Sequence, residues 1–187
     1  MKTVLEKLSD RELVGLCLSG KDVGYTVLYN RYAKSVFNSI LRLVDHMHEA
    51  EDILQEVFVT VFTDIEKMRE IKNFGAWANR VAINKSISLL RKKKFHFSDI
   101  EETVVIDTSE EDILLKLILE SKISDIKIAI ANLPIEAKTI TNLFLFEDLP
   151  QEEIARELGL THNAVRSQYH RAKKKILQTL NGKEYHE

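Results

Sequence analysis

The stretch QEEIARELGLTHNAVRSQYHRAKKKI, residues 151–176, decides the fold. It reads as a helix (QEEIAREL), a turn at Gly159-Leu160 and a second helix beginning after Thr161. Ala155 is small enough for the two helices to approach closely, and Gly159 permits a positive φ at the turn. Ile154, Leu158, Leu160 and Val165 supply a small core between them. Thr161 is placed to accept free N–H groups at the start of the second helix. Projected at about 3.6 residues per turn, that helix turns Val165, Tyr169, Ala172 and Ile176 inward. Asn163, Arg166, Ser167, His170 and Lys174 then face outward together. Such a face suits the major groove, where Arg grips guanine edges, Asn reads adenine edges and Lys contacts phosphate. The bland alternative is a helical hairpin with a basic surface. DNA binding is favoured because many residue types agree at fixed offsets.

Charge along the chain agrees with this. The 187 residues carry a formal net charge of -2, but the signs are segregated. Gly159 to Lys183 contains no Asp or Glu, and Arg91-Lys92-Lys93-Lys94 forms a second basic block. Between them, Ser98 to Leu115 contains no Lys or Arg. Basic blocks around an acidic segment predict two polyanion-binding modules and a linker. A composition of 44% hydrophobic and 30% charged residues argues against wholesale disorder, and two prolines with six glycines are few for an all-β sandwich. No apolar run reaches the roughly 18 residues of a membrane span. MKTVLEKLSDREL lacks the apolar block of a signal peptide, so no membrane insertion and a cytoplasmic location are expected. A single cysteine, Cys17, makes no internal disulfide and no thiolate metal cage. Among apolar neighbours it reads as core rather than as a redox sensor.

Helical periodicity dominates the rest. Ser9-Asp10 with Glu12 marks a helix start and Gly20 its end. Further helices are expected over about 23–44, 48–67 and 73–95, and Pro134 and Pro150 mark helix boundaries. The 48–67 helix turns Ala50, Leu54, Val57, Phe58, Val61 and Ile65 to one side. Its polar face carries Asp52, Glu56, Val59 and Thr63, flanked by Glu49 and Gln55. A solvated face explains the acids but not Val59; a docking site for a basic partner helix explains both. In the next helix Trp77, Arg80, Val81, Asn84, Ser88 and Arg91 form one stripe, opposite Ala82, Ile83, Ser86 and Leu90. Aromatic, amide and cationic groups on one stripe suit unstacked bases. The alternative is that Trp77 is core and the stripe an ordinary polar surface. His46 and His48, two apart, do not share a helix face, and no Gly-rich phosphate loop or nucleophile–base motif is recognised, so an enzyme is the least favoured class. No cofactor and no metal site are expected.

These pieces, in this order, resemble the sigma factors of bacterial RNA polymerase, closest to the compact extracytoplasmic-function (ECF) group, which retains sigma domains two and four. The resemblance covers nearly the whole chain. Ser9-Asp10…Gly20 and Leu28-Tyr29-Asn30-Arg31-Tyr32 resemble the opening helices, and HEAEDILQEVF (residues 48–58) the polymerase-binding helix. FGAWANRVAINKSISLLRKKK (residues 74–94) resembles the promoter-melting segment, and residues 131–176 resemble domain four. The implied fold is all-α: two small helical domains, 1–97 and 113–187, joined by a flexible acidic linker, 98–112. The implied partners are core RNA polymerase, promoter DNA as duplex and melted strand, and an anti-sigma factor. Glu49, Asp52, Gln55, Glu56 and Val59 would meet polymerase, the acids facing a basic coiled coil of its largest clamp-forming subunit. Trp77, Arg80, Asn84, Lys85, Ser88, Arg91 and Lys92 would hold the minus-ten element, Asn84 capturing a flipped base. Thr161, His162, Asn163, Arg166, Ser167, His170, Arg171 and Lys174 would read the minus-thirty-five element. The chain departs from the family pattern at Tyr25, Asn79, Asp148-Pro150 and Asn163-Ala164. The rival readings are a stand-alone helix-turn-helix regulator with a sensing or dimerising N-terminal module, and a protein-only helical adaptor.

Overall fold

The computed structural model describes residue 5 and residues 7–69, 73–92 and 123–181. The chain divides into two compact units, Met1–Lys93 and Lys94–Glu187. The described residues form eight α-helices and no strand, as the periodicity predicts. The acidic segment 98–112, the residues before 5 and Lys93-Lys94 of the second basic block lie outside the described residues.

The first unit holds α1 (Asp10–Leu18), α2 (Asp22–Val44), α3 (Met47–Thr63) and α4 (Phe74–Lys92). The start of α1 is fixed by a capping box. Glu12 N–H donates to Ser9 Oγ (3.4 Å), and the Glu12 carboxylate accepts from Ser9 N–H (2.7 Å). The Ser9 hydroxyl also donates to the Glu12 carboxylate at 2.6 Å, and this bond with the one from Ser9 N–H holds the exposed Glu12 carboxyl below its ordinary range. Helix α2 packs against α1, α3 and α4, so it is the spine of the unit. Leu13, Leu28, Val36, Ile40, Ala50, Val57, Val61, Phe74, Ala78 and Ala82 fill the core. Aromatic rings tie its helices together: Tyr29 to Phe58 (4.7 Å), Tyr25 to Phe62 (5.0 Å) and Tyr32 to Phe74 (5.4 Å). Tyr25, one of the departures, also donates its hydroxyl to the Cys17 carbonyl at 3.3 Å, so it links α2 to α1.

One expected element is corrected. Residues 48–67 are not a single helix: α3 stops at Thr63, and a 3-10 turn, Ile65–Arg69, follows. Asp64 leaves helical geometry (φ -92°, ψ 18°), and its carbonyl accepts from Lys67 N–H at 2.9 Å, tightening the chain. Ile65 stays buried, so the apolar pattern persists through a change in helix type.

The second unit holds α5 (Ile123–Ala131), α6 (Ile135–Leu145), α7 (Gln151–Leu158) and α8 (His162–Asn181). Pro134 and Pro150 stand immediately before α6 and α7. Helix α8 packs against α5, α6 and α7, burying Ala172, Ile176 and Leu180 with Ala129, Ile130, Leu133 and Ala137. Among the described residues no helix is long and apolar enough to cross a membrane.

Burial pushes the Cys17 thiol from 9.0 up to about 11, which accords with a core role. Burial, with Asp10 beside it, pushes the Tyr32 phenol from 10.0 up to about 12. Both groups are neutral when protonated, so their stabilisation is complete below the unfolded values and is lost as pH rises through the folded ones. Denaturation at stepped pH should therefore show stability falling between pH 9 and 12, Cys17→Ala flattening the lower part of the fall and Tyr32→Phe the upper. Separately, Gly159 closes α7 at φ 70°. Gly159→Ala places a Cβ in left-handed geometry, and urea unfolding of the second unit should register a loss of about 1–2 kcal/mol.

Candidate nucleic-acid interface

The helix-turn-helix forms as its spacing predicts. Gly159 and Leu160 turn the chain, with Leu160 N–H donating to the Ala155 carbonyl at 2.8 Å. Thr161 Oγ1 caps α8 by accepting from Ala164 N–H at 3.1 Å. Ile154, Ala155, Leu158, Val165, Tyr169, Ala172 and Ile176 are all buried, and Phe144 of α6 meets the Tyr169 ring at 4.7 Å. On the outer side His162, Asn163, Arg166 and Lys174 are exposed, Thr161 with them, and His170 and Arg171 are half-buried.

Ser167 is a correction: expected among the outward residues, it is only 4% exposed. Ala164, one turn earlier, is buried too, so α8 has a second buried strip near its start besides the Val165–Ile176 face. A projection from one apolar face does not register a strip made of alanine and serine. Lys173, inside the basic run, is 3% exposed, so that run is not one solvated face. At the departure Asp148, the backbone adopts φ 51°, the left-handed geometry that Gly would occupy with less strain and Asp tolerates.

In the first unit α3 buries Ala50, Ile53, Val57, Phe58 and Val61. Its other side presents Asp52, Gln55, Glu56, Val59 and Thr63 to solvent, with Glu49 half-buried. Val59 is 67% exposed. A groove of about 440 Å³ runs beside this face between α2 and α3, with Tyr29, Phe37, Leu54 and Gln55 in its lining.

Helix α4 begins at Phe74 behind Asn73, whose Oδ1 accepts from Ala76 N–H at 2.9 Å. It buries Ala82, Ile83, Ser86 and Leu90 as expected, and Phe74, Ala78 and Ile87 as well. Asn84, Ser88, Arg91 and Lys92 are exposed; Arg80, Val81 and Asn79 are half-buried. Ser88 Oγ donates to the Asn84 carbonyl at 2.8 Å, so its hydroxyl is engaged by its own helix. Trp77 is half-buried and meets Phe74 edge-on at 6.1 Å, packed partly on the core and partly open. Lys85 does more than lie beside Asn84. Its Nζ reaches Glu56 of α3 at 3.1 Å, tying the two candidate faces together. Sequence reasoning missed this pair, because 29 residues separate its members and no local pattern marks it. Among the described residues no cluster of three His, Cys, Asp or Glu side chains is placed to hold a metal ion.

An amide-and-cation helix in one unit and a capped helix-turn-helix in the other are the kinds of surface that nucleic acid fits. Residues 28–96 match the family described as Sigma-70 region 2, and residues 125–176 match Sigma-70, region 4. RNA polymerase sigma factor SigV of Bacillus subtilis is 32% identical over 132 residues, 70% of this chain and 75% of that protein. ECF RNA polymerase sigma factor SigW of the same organism is 25% identical over 173 residues, 86% of this chain and 91% of that protein. The solved structure of CnrH in complex with the cytosolic domain of CnrY matches with a TM-score of 0.50 and 20% identity, over 92% of this chain and 97% of that one, and speaks for the fold alone. The chain belongs to the sigma-70 family of RNA polymerase sigma factors, in its ECF group. The stand-alone regulator and the protein-only adaptor are set aside on that ground.

The Lys85–Glu56 pair has one member largely in water, so its worth is about 0–1 kcal/mol. Lys85→Met should lower the thermal midpoint by no more than that implies, and added salt should erase the difference from wild type.

Proposed function

We propose that the first unit docks on core RNA polymerase through the α3 face and holds the melted minus-ten strand along α4, while α8 reads the duplex minus-thirty-five element. The observation that carries this reading is Val59, a large apolar side chain 67% exposed on a face with Asp52 and Glu56. Burying an apolar centre within a charged rim is what a protein partner of opposite charge supplies. Asp52, Gln55 and Glu56, with Glu49 at the edge, meet the basic partner.

On α4, Asn84 reads an unstacked base, Arg80, Arg91 and Lys92 hold the strand's phosphates, and Trp77 offers the open edge of its ring. Extruding a base costs a few kcal/mol, offset by stacking and hydrogen bonds in the pocket that receives it. On α8, Asn163, Arg166, His170, Arg171 and Lys174 face the groove, with Thr161 and His162 at its rim and buried Ser167 supporting the helix from beneath. Residues 1–97 and 113–187 act as the two domains, and 98–112 as an acidic linker that polymerase spans. The chain performs no bond chemistry of its own; nucleotide addition belongs to polymerase and its magnesium. It works in the bacterial cytoplasm, and an anti-sigma factor, in some family members at the membrane, restrains it.

Size-exclusion chromatography with bacterial core polymerase tests this directly. Wild type should co-elute with core, and Asp52→Arg/Glu56→Arg should lose co-elution while keeping its helical circular dichroism. Equal co-elution of the two would refute the α3 docking face.

A further inference from the structure

The matched Sigma-70 region 2 begins at residue 28, which leaves α1 outside it. Yet α1 is tied to the start of α4 by a short chain of contacts. The Asp10 carboxylate, at the first turn of α1, accepts two charge-assisted or strong bonds at once: Arg31 Nη1 donates to Oδ1 at 2.8 Å, and the Tyr32 hydroxyl donates to Oδ2 at 2.6 Å. Arg31 Nη2 also donates to the Leu8 carbonyl at 2.7 Å, anchoring the segment just before α1. The Asp10 and Arg31 side chains are largely shielded from water, so these bonds outweigh exposed ones.

From that anchor the Tyr32 ring reaches α4. It lies 5.4 Å from the Phe74 ring, and it occupies the space over Gly75 so fully that a Cβ there would stand 2.4 Å from Tyr32 Cε1. Phe74 in turn meets Trp77 in a T-shaped contact at 6.1 Å. The first turn of α4 is therefore held against a ring whose own position is set by Asp10.

We propose that Tyr32 is a positioning residue for minus-ten strand binding: Asp10 fixes its hydroxyl, and its ring, seated on Gly75 and Phe74, sets the register in which α4 presents Trp77, Arg80 and Asn84. Helix α1 thereby takes part in promoter opening without touching DNA. This rests on the reading of α4 as the strand-binding helix. The α3 docking face lies in the same unit, so affinity for core polymerase reports on folding of that unit, and affinity for a single strand reports on α4.

The test uses the full chain bound to core polymerase and a fluorescein-labelled DNA single strand selected from a randomised pool by the wild-type complex. Both affinities are measured well below each variant's unfolding midpoint. Tyr32→Phe keeps the ring and loses the anchor; it should weaken strand binding by about threefold to tenfold and leave core affinity within about twofold. Gly75→Ala displaces the ring with the hydroxyl intact and should do the same. Asp10→Asn, which keeps an oxygen for the phenol, should stay nearer wild type than Asp10→Ala. Equal losses of strand and core affinity would mark a purely structural role and overturn the proposal. So would unchanged strand binding in Tyr32→Phe beside a loss in Asn84→Ala. If Asn84→Ala also binds the strand as wild type does, the strand-binding reading of α4 fails and takes this inference with it.

Discussion

Phe74 is the junction on which the first unit depends. It is fully buried at the first residue of α4, and its ring meets Tyr32 of α2, Phe62 of α3 and Trp77 one turn further on. Three helices thus converge on one side chain. Interiors are close-packed, so a displacement at such a point is passed on rather than absorbed, and α4, whose first turn carries Phe74, takes it most directly. The candidate polymerase face is on α3 and the candidate strand face on α4, and Phe74 holds both in fixed relation. The Lys85–Glu56 pair adds a second, weaker link near the surface.

Each candidate reading helix divides its circumference by the same rule. Helix α4 buries Ala78, Ala82, Ile83 and Leu90 and leaves Asn84, Ser88 and Arg91 outside; α8 buries Val165, Tyr169 and Ile176 and leaves Asn163, Arg166 and Lys174 outside. The buried face supplies rigidity and the exposed face supplies chemistry. A reading surface built on a helix is positioned more closely than one on a loop, because the core fixes its rotation as well as its place.

Much of this was legible in the sequence wherever the signal is local. The Ser9–Glu12 capping box, the Gly159 turn, the Thr161 cap and the inward faces of α4 and α8 each lie within a few residues and obey helical geometry. The break of α3 at Asp64 was not legible, because the apolar pattern runs on to Ile65 through a tighter helix. Burial of Ser167 and Lys173 was hidden for a different reason: serine and lysine carry no apolar signal, so packing alone decides their place. The Asp10–Tyr32 and Lys85–Glu56 contacts join residues more than twenty positions apart, and only tertiary structure brings them together.

A sigma factor acts through polymerase to select where transcription starts. Run-off transcription with the full chain, bacterial core polymerase and a library of genomic fragments tests it most directly. Transcripts should require the chain and begin at a common distance downstream of a two-part sequence element. Sequence-specific duplex binding by the chain alone, with no transcript when core is added, would contradict it.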